Sequence, residues 1–229
     1  YIVEGDQLSP NLPRYWYSQF EGSNDNERAY KSFCYIYAVL YSNSYRRRYE
    51  GQLLSDFPRI PLTGNLELKS RLIEFGELLC SLHLMEYNIL DGETNVSFQE
   101  GTNGKVVGAM NKSKAYVNGE VFIDTATLSG SKFTGVTDDV WNFKIGGYQV
   151  CHKWLYDRRK IGDNSGRTLS DNDIQHYIRI VTSIQHTLEL MEQIDEVIEE
   201  HGGWPLEGSE EFDIPPEDMD PGQMGLGDF

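Results

Sequence analysis

The sequence predicts an α+β fold in which helices pack around a small antiparallel sheet and a long helix forms the C-terminal part. Apolar residues recur every three or four positions within residues 27–85 and again after residue 170, which is typical of amphipathic helices. Between these segments, residues 92–135 alternate apolar and polar side chains, as half-buried strands do. Because strands do not alternate with helices along the chain, a parallel βαβ array is not predicted.

The first third of the chain is predicted to be helical after a connector. Residues 1–27 are polar, aromatic and interrupted by two prolines, and we expect them to link this domain to an upstream one. A first helix is predicted over about residues 27–44. A second helix runs to about Met85, and the side chain of Asn65 can cap its first turn.

The middle of the chain contains the predicted sheet. Asn118-Gly119 lies between two apolar stretches and predicts a tight type I′ hairpin, because both residues tolerate positive φ. Residues 140–145 alternate like another strand, which we expect to end at Gly146-Gly147. A short helix is predicted over residues 148–158.

A long helix is the last predicted element. Ser170 can cap it, with Asp173 as the capping-box partner, and an apolar stripe continues until Gly202-Gly203 ends the helix. The domain is therefore predicted to span residues 28–203. Residues 204–229 are rich in Gly, Pro and acidic residues, and we expect them to form a mobile tail.

The net charge of −16 is unevenly distributed along the chain. Fourteen of the 36 acidic residues lie at or after Glu189, whereas all 20 lysines and arginines lie at or before Arg179. The body of the chain is therefore close to neutral, which is compatible with a basic surface for a polyanion. The acidic C-terminal segment is explained either by solubility or by an interaction with a basic partner.

Cysteine usage and hydropathy limit the cellular setting. Cys34, Cys80 and Cys151 are widely separated and odd in number, which excludes a disulfide framework and fits a reducing, cytoplasmic compartment. No run approaches the ~18 consecutive apolar residues of a membrane span. The chain begins Tyr-Ile-Val without an initiator Met, so we expect it to be a piece of a longer polypeptide.

Catalytic motifs are absent from the sequence, with one alternative left open. There is no phosphate-binding glycine loop, no His-Glu-x-x-His and no Gly-x-Ser-x-Gly, and the histidines and cysteines lack metal-ligand spacing. Asp56, Glu67 and Lys69 have the residue types of a metal-dependent nuclease, which presents Mg²⁺ ligands and a lysine from adjoining strands. Glu67 and Lys69 fall in the first turn of a predicted helix, where the helix dipole explains an acidic residue.

Two basic segments have the composition of a phosphate-binding surface. The first comprises Arg46, Arg47 and Arg48, at the end of the first predicted helix. The second surrounds the Gly-Gly turn and comprises Lys144, Lys153, Arg158, Arg159, Lys160 and Arg167, and Gln149 beside the turn is a further candidate for DNA contact. Arginine binds phosphates and guanine edges bidentately, and glutamine pairs with adenine. A solvated basic surface without a ligand is the alternative explanation.

The residues around that turn resemble a known family. Residues 140–150, Val-Trp-Asn-Phe-Lys-Ile-Gly-Gly-Tyr-Gln-Val, and residues 153–158, Lys-Trp-Leu-Tyr-Asp-Arg, resemble a signature of the C-terminal specificity domain of type ISP restriction–modification enzymes and related adenine-specific DNA methyltransferases. Residues 35–61 resemble the start of that domain, and residues 169–181 resemble its continuation into the last helix. The resemblance covers about residues 30–195.

The resemblance implies a noncatalytic target-recognition domain whose partners are double-stranded DNA and the methyltransferase domain of the same parent chain. In that family one long chain also carries a nuclease, a helicase-like ATPase and an N6-adenine methyltransferase. S-adenosylmethionine, and ATP with Mg²⁺, are therefore expected in other parts of the parent enzyme. The Asn-Pro-Pro-Tyr motif of such methyltransferases is absent from this chain.

The resemblance also separates scaffold from reading residues. We expect the shared signature, including Trp141, Tyr148 and Trp154, to hold the fold, while loops between about residues 93 and 132 contact bases. The candidate base readers are Asn103, Lys105, Asn111, Lys112, Lys114 and Lys132. The two basic segments are candidate phosphate contacts.

Two alternatives to DNA recognition stay open. One is a protein-interaction or structural domain without DNA binding, which the acidic net charge favours. The other is the metal-dependent nuclease. A continuous basic surface beside the sheet would support DNA recognition, and a uniformly acidic surface would support the interaction domain.

Overall fold

The computed structural model describes residues 2–4, 7–9, 12–55, 57–86, 90, 92, 94–126 and 130–206. These residues form two compact units. Unit 1 comprises the residues up to Cys80 and those from Leu190 onward, and unit 2 comprises Ser81–Glu189. Helices predominate and the sheets are small and antiparallel, which confirms the predicted α+β class.

Unit 1 consists of helices and one short hairpin. β1 (Ile2–Glu4) pairs with β2 (Gln7–Ser9), and α1 (Arg14–Tyr17), α2 (Asp25–Tyr41), α3 (Asn43–Arg48) and α4 (Glu50–Ser55) follow. Most of α5 (Leu66–His83) completes the unit, together with the C-terminal part of the last helix. Helices α2 and α5 approach closely at Gly76, where an added Cβ would lie 1.9 Å from the carbonyl oxygen of Cys34.

The first predicted helix is interrupted at Ser42. The backbone of Ser42 is extended, with φ −64° and ψ 122°, and its hydroxyl accepts a hydrogen bond from Tyr45 N, so that it caps α3. The same hydroxyl donates to Asp195 Oδ1 over 2.6 Å, and Ser44 Oγ donates to that oxygen over 2.8 Å. The prediction over residues 27–44 is therefore correct for α2 and wrong at its end. The carboxylate of Asp195, far along the chain, stabilises this break between α2 and α3.

Unit 2 contains a four-stranded antiparallel sheet in the order β3-β6-β5-β4. Its strands are β3 (Ser97–Gln99), β4 (Tyr116–Val117), β5 (Glu120–Phe122) and β6 (Lys132–Thr134), and α6 (Lys112–Ala115) precedes β4. Asn118 and Gly119 join β4 to β5 with φ of 49° and 85°, which confirms the predicted hairpin. Phe133 is fully buried, with its ring centroid 4.3 Å from that of Tyr177.

The remaining elements of unit 2 are α7 (Asp138–Asn142), β7 (Lys144–Ile145), β8 (Tyr148–Gln149) and α8 (Val150–Tyr156). The predicted strand over residues 140–145 is wrong up to Asn142, where the chain is helical. Thr137 Oγ1 accepts a hydrogen bond from Val140 N, and two aspartates in the first turn suit the helix dipole. These start signals outweigh the alternation of apolar residues.

The last helix, α9 (Asp171–Glu200), contributes to both units and has the predicted capping box. Ser170 N donates to Asp173 Oδ2 over 2.9 Å, and Asp173 N donates to Ser170 Oγ over 3.1 Å. The Asn65 cap of α5 is also confirmed, since its Oδ1 accepts hydrogen bonds from Glu67 N and Leu68 N.

The segment after α9 folds back within unit 1. Trp204 Nε1 donates to Ser44 Oγ over 2.8 Å, and Leu206 is buried. The rest of the expected mobile tail, from residue 207, lies outside the described residues. The connector over 1–27, the domain over 28–203 and the tail over 204–229 stay predictions. Among the described helices, none is long and apolar enough to span a membrane.

Candidate nucleic-acid interface

Three of the candidate lysines are paired with carboxylates. Lys105 Nζ lies 2.6 Å from Asp171 Oδ1, and Lys132 Nζ lies 2.6 Å from Glu120 Oε1. Lys153 pairs with Asp157 one turn along the chain, at the end of α8. Each pair is locally neutral, so these lysines add hydrogen-bond donors to the surface but little net positive charge.

Lys112, Lys114 and Lys144 are exposed and form no ion pair with the residues that the structure describes. Lys112 and Lys114 lie on α6, which is fixed by Asn111: its Oδ1 accepts a hydrogen bond from Ser113 N, and its own N–H donates to Thr125 Oγ1. Asn111 therefore fixes the helix that carries the two lysines. Its own side chain is also exposed. Within unit 2 these cations are the strongest candidates for phosphate contacts.

Arg158 and Arg159 are held flat against aromatic rings. The Arg158 guanidinium carbon lies 3.6 Å from the centroid of Trp154, and the Arg159 guanidinium carbon lies 3.4 Å from the centroid of Tyr156. Each arginine also donates to the carbonyl oxygen of the residue whose ring it covers. Burial, with the positive charge of Arg167, lowers the pKa of Arg158. Stacking preorganises both guanidinium groups, which reduces the entropy that they would lose on binding a phosphate.

His152 connects the two groups of cations, and the sequence analysis did not single it out. Burial lowers the pKa of His152, and the positive charges of Lys112 and Arg159 lower it further. Its ring meets Trp141 edge-on at 6.0 Å and lies 5.4 Å from Tyr156. The structure thus brings Lys112 of α6 and Arg159, which follows α8, near one half-buried imidazole. Only tertiary packing reveals this, because the sequence carries no local signal for it.

Two residues that the sequence analysis proposed for DNA contact, Gln149 and Asn103, have structural roles. Gln149 is only 5% exposed, and its Nε2 donates to the carbonyl oxygen of Trp141. Gln149 is therefore placed in the interior, contrary to its expected position on a DNA-contacting surface. Asn103 Oδ1 accepts a hydrogen bond from Ser131 N over 2.7 Å, which fixes the residue just before β6. Conversely, Tyr148 was expected to belong to the scaffold but is 63% exposed.

The arginines of α3 lie in unit 1. The Arg46 guanidinium carbon lies 5.0 Å from the centroid of Tyr41, and that of Arg48 lies 5.9 Å from the centroid of Tyr49. Arg46 and Arg47 also line a recess of about 500 Å³ together with Glu192, Asp195 and Glu196 of α9. The acidic lining makes this recess a poorer site for a phosphate than the exposed lysines of α6.

The nuclease alternative gains no support from the described residues. Asp56 lies outside them, and Glu67 is exposed in the first turn of α5. Lys69 Nζ lies 5.6 Å from the ring centroid of Phe20, and burial lowers its pKa. Across the part of the chain that the structure describes, no group of three or more His, Cys, Asp or Glu residues could hold a metal ion.

Comparison with known proteins gives one family match. The model of the Type ISP C-terminal specificity domain matches residues 3–193 of this chain. A search of curated proteins finds no match.

Solved structures resemble the chain over most of its length. The Type ISP restriction–modification enzyme LlaGI, as a nuclease-deletion mutant in complex with a DNA substrate mimic, is 25% identical, and the match covers 76% of this chain and 14% of LlaGI with a TM-score of 0.53. The ATP-dependent Type ISP enzyme LlaBIII bound to DNA is 19% identical over 77% of this chain and 12% of its own, with a TM-score of 0.54. A DrdV–DNA complex is 19% identical over 72% of this chain and 18% of its own, also with a TM-score of 0.54. The chain thus spans less than a fifth of each of these enzymes, and the two at 19% identity support the fold alone.

Proposed function

Because the chain belongs to the family of Type ISP C-terminal specificity domains, we propose that it selects the DNA sequence on which a restriction–modification enzyme acts. The observation that carries this proposal is the family match over residues 3–193, which confirms the prediction made from the signature at residues 140–158. A specificity domain recognises the target rather than transforming it, so this fragment is noncatalytic, as predicted. LlaGI, at 25% identity, was solved with a DNA substrate mimic, which supports duplex DNA as the partner.

The described surface of unit 2 supports a division of labour in that recognition. Positive charge for phosphates comes from Lys112, Lys114 and Lys144, which form no ion pair with any described residue, and from the stacked Arg158 and Arg159. Lys105 and Lys132, neutralised by Asp171 and Glu120, keep free N–H donors without strong attraction to every phosphate. Such donors suit hydrogen bonds to base edges, where discrimination is needed more than attraction.

We place the catalytic chemistry in other parts of the parent enzyme. The methyltransferase domain of the same polypeptide is the proposed partner within the protein, and S-adenosylmethionine, as well as ATP with Mg²⁺, would bind outside this fragment. The chain spans only 12–18% of the solved enzymes that it resembles, which leaves room for such domains. We also propose a cytoplasmic location, because the widely separated cysteines fit a reducing compartment.

The test is DNA binding by the parent polypeptide over a salt series, followed by fluorescence anisotropy. A duplex enriched from a random pool serves as the specific probe, and a scrambled duplex as the nonspecific one. Lys112→Gln and Lys114→Gln should each weaken binding to both probes alike and lower the slope of log K against log salt by about 1. Lys132→Gln is the matched control, because its cation is paired with Glu120, and it should change the preference between the probes instead.

Two results would contradict the proposed function. If no duplex binds at any salt concentration, the protein-interaction alternative takes its place. If the lysine variants of α6 alter sequence preference while Lys132→Gln alters only the salt slope, the proposed roles of the two groups are reversed.

A further inference from the structure

The hairpin formed by β7 and β8 is exposed from Lys144 to Tyr148. Ile145 and Tyr148 are directly opposite each other in the strand register and are 53% and 63% exposed. They form an apolar pair next to the turn at Gly146 and Gly147, and an apolar pair of this size is a cost in water unless a partner covers it.

Hydrogen bonds fix the base of the hairpin, so the ordered structure holds the tip of the hairpin in an exposed position. Val150 N donates to the carbonyl oxygen of Phe143 over 3.3 Å, and the buried amide of Gln149 donates to the carbonyl oxygen of Trp141. Trp141 in turn stacks on Tyr116, with ring centroids 5.4 Å apart and planes inclined by 10°. The tip therefore projects from the aromatic core of unit 2 on a short, anchored ribbon.

The turn carries no side chain at Gly146, although its backbone conformation would allow an asparagine there. Gly146 and Gly147 have φ of 54° and 83°, nearly the values of Asn118 and Gly119 in the other hairpin, where an Asn occupies the first position. A Cβ at Gly146 or Gly147 would meet no other atom within 4 Å. Since neither backbone geometry nor packing excludes Asn at position 146, the missing side chain leaves room for close approach of an external surface.

The charges around the hairpin indicate what that surface is. Lys144 is exposed and has no carboxylate partner among the residues described. Lys153 Nζ lies 5.8 Å from the ring centroid of Tyr148 and also forms the ion pair with Asp157. A two-stranded ribbon with an apolar tip and a basic flank fits the major groove of duplex DNA, which admits such a ribbon and exposes thymine methyl groups between phosphates.

We propose that the β7–β8 hairpin enters the major groove of the target duplex, with Ile145 and Tyr148 against thymine methyl groups and Lys144 at a phosphate. This inference rests on the proposed function and adds to it a reading element within the shared signature, outside the loops before residue 132. The bare Gly146-Gly147 backbone then lies closest to the floor of the groove.

The first experiment adds a side chain to the tip. Gly146→Asn in the parent polypeptide keeps the turn conformation, so the melting temperature should stay within about 1 °C, while affinity for the selected duplex should fall about tenfold, the size of one lost base contact. Gly162→Asn is the control, because Gly162 has a φ of 56°, close to the 54° of Gly146, and its Cβ also meets nothing within 4 Å; it should leave binding unchanged.

The second experiment removes the proposed apolar contacts, both by shortening the protein side chains and by removing the thymine methyl groups from the DNA. Ile145→Ala and Tyr148→Ala should each weaken binding about tenfold, and replacement of thymine by uracil in the selected duplex should weaken wild-type binding by a similar factor. For the double variant Ile145→Ala with Tyr148→Ala, the uracil duplex should cause no further loss, since both contacts are already gone.

The outcomes distinguish a failure of the hairpin proposal from a failure of the proposed function. If the wild type binds the selected duplex while all three hairpin variants bind it equally well, the hairpin is not a reading element although the proposed function stands. If uracil at every thymine position leaves wild-type affinity unchanged, the thymine contact is overturned. If the wild type binds no duplex, the proposed function and the hairpin inference both fail.

Discussion

At the scale of single residues, Trp141 and His152 lie at the boundary between the core and the surface of unit 2. Trp141 is 5% exposed, stacks on Tyr116, and its carbonyl oxygen accepts the hydrogen bond of Gln149. The ring of His152 packs edge-on against the ring of Trp141. Changes at these two positions therefore act on the fold before they act on any ligand.

Trp141→Ala should lower the free energy of unfolding by about 3–5 kcal/mol, because a large buried aromatic leaves a cavity that the surroundings fill only partly. Chemical denaturation followed by circular dichroism measures this. Tyr148→Ala is the control, since its ring is 63% exposed, and it should change the unfolding free energy by no more than about 0.5 kcal/mol. Equal denaturation midpoints for Trp141→Ala and the wild type would show that burial of the Trp141 ring does not stabilise the fold.

The lowered pKa of His152 predicts a pH dependence of stability. In the unfolded chain His152 titrates near its ordinary value of 6.5, whereas burial and two nearby cations keep the folded pKa lower. Its neutral form therefore contributes stability that is complete above about pH 6.5 and lost as the pH falls through the folded pKa. The melting temperature should fall between pH 7 and pH 5, and His152→Gln should reduce that fall.

Burial also lowers the pKa of His83, whose Nε2 lies 2.9 Å from Thr187 Oγ1, so His83 acts in the same direction. Combining His83→Gln with His152→Gln should flatten the pH dependence above pH 5 further than either change alone. A double variant that still loses as much stability as the wild type would assign the effect to other groups.

At the scale of elements, the starts of helices were predictable where the capping partner is local. The caps of α5 and α9 were predicted from Asn65 and Ser170, because each bonds to residues two or three positions on. The interruption at Ser42 was not, because its stabilising partner Asp195 is 153 positions away. Likewise, which candidate lysines are neutralised depends on pairs such as Lys105–Asp171, which only the tertiary fold brings together.

The approach of α2 to α5 makes a prediction about one glycine. Gly76→Ala should lower the free energy of unfolding by about 1–3 kcal/mol, since its Cβ would meet the Cys34 carbonyl oxygen at 1.9 Å and force the helices apart. Gly51→Ala is the matched control in α4, because its Cβ meets nothing within 4 Å, and it should stabilise the helix by about 0.5–1 kcal/mol. Thermal melts of both variants give the comparison, and a neutral Gly76→Ala would mean that the helices can separate without cost.

At the scale of the whole molecule, the acidic C-terminal segment divides into a packed part and a part outside the described residues. Trp204 packs on Tyr45, with ring centroids 5.2 Å apart, and Leu206 is 3% exposed. The composition that predicted a mobile tail from residue 204 did not reveal these contacts, because Ser44 and Tyr45 are distant in sequence. The DNA-contacting role of the candidate lysines and arginines stays a prediction, whereas the burial of Gln149 and the exposure of Tyr148 follow from tertiary packing that the sequence did not reveal.

Two truncations distinguish the parts of that segment. Ending the chain after Gly202 should lower the melting temperature by roughly 5–10 °C, because it removes apolar burial worth about 2–3 kcal/mol. Ending it after Leu206 keeps those contacts and should leave the melting temperature nearly unchanged. Differential scanning calorimetry of the two truncated chains tests this, and equal melting temperatures would contradict it.

The ion pair between Glu120 and Lys132 links neighbouring strands of the sheet for which we propose a role in recognition. Exchanging the two residues, as Glu120→Lys with Lys132→Glu, keeps the net charge and the contact but moves the ammonium group to the other strand. Such a reciprocal exchange alters the pattern of donors and acceptors that faces a base while leaving the attraction to the backbone of DNA unchanged. If Lys132 contacts a base edge as we propose, such an exchange changes the target sequence while the net charge that attracts the DNA backbone stays the same.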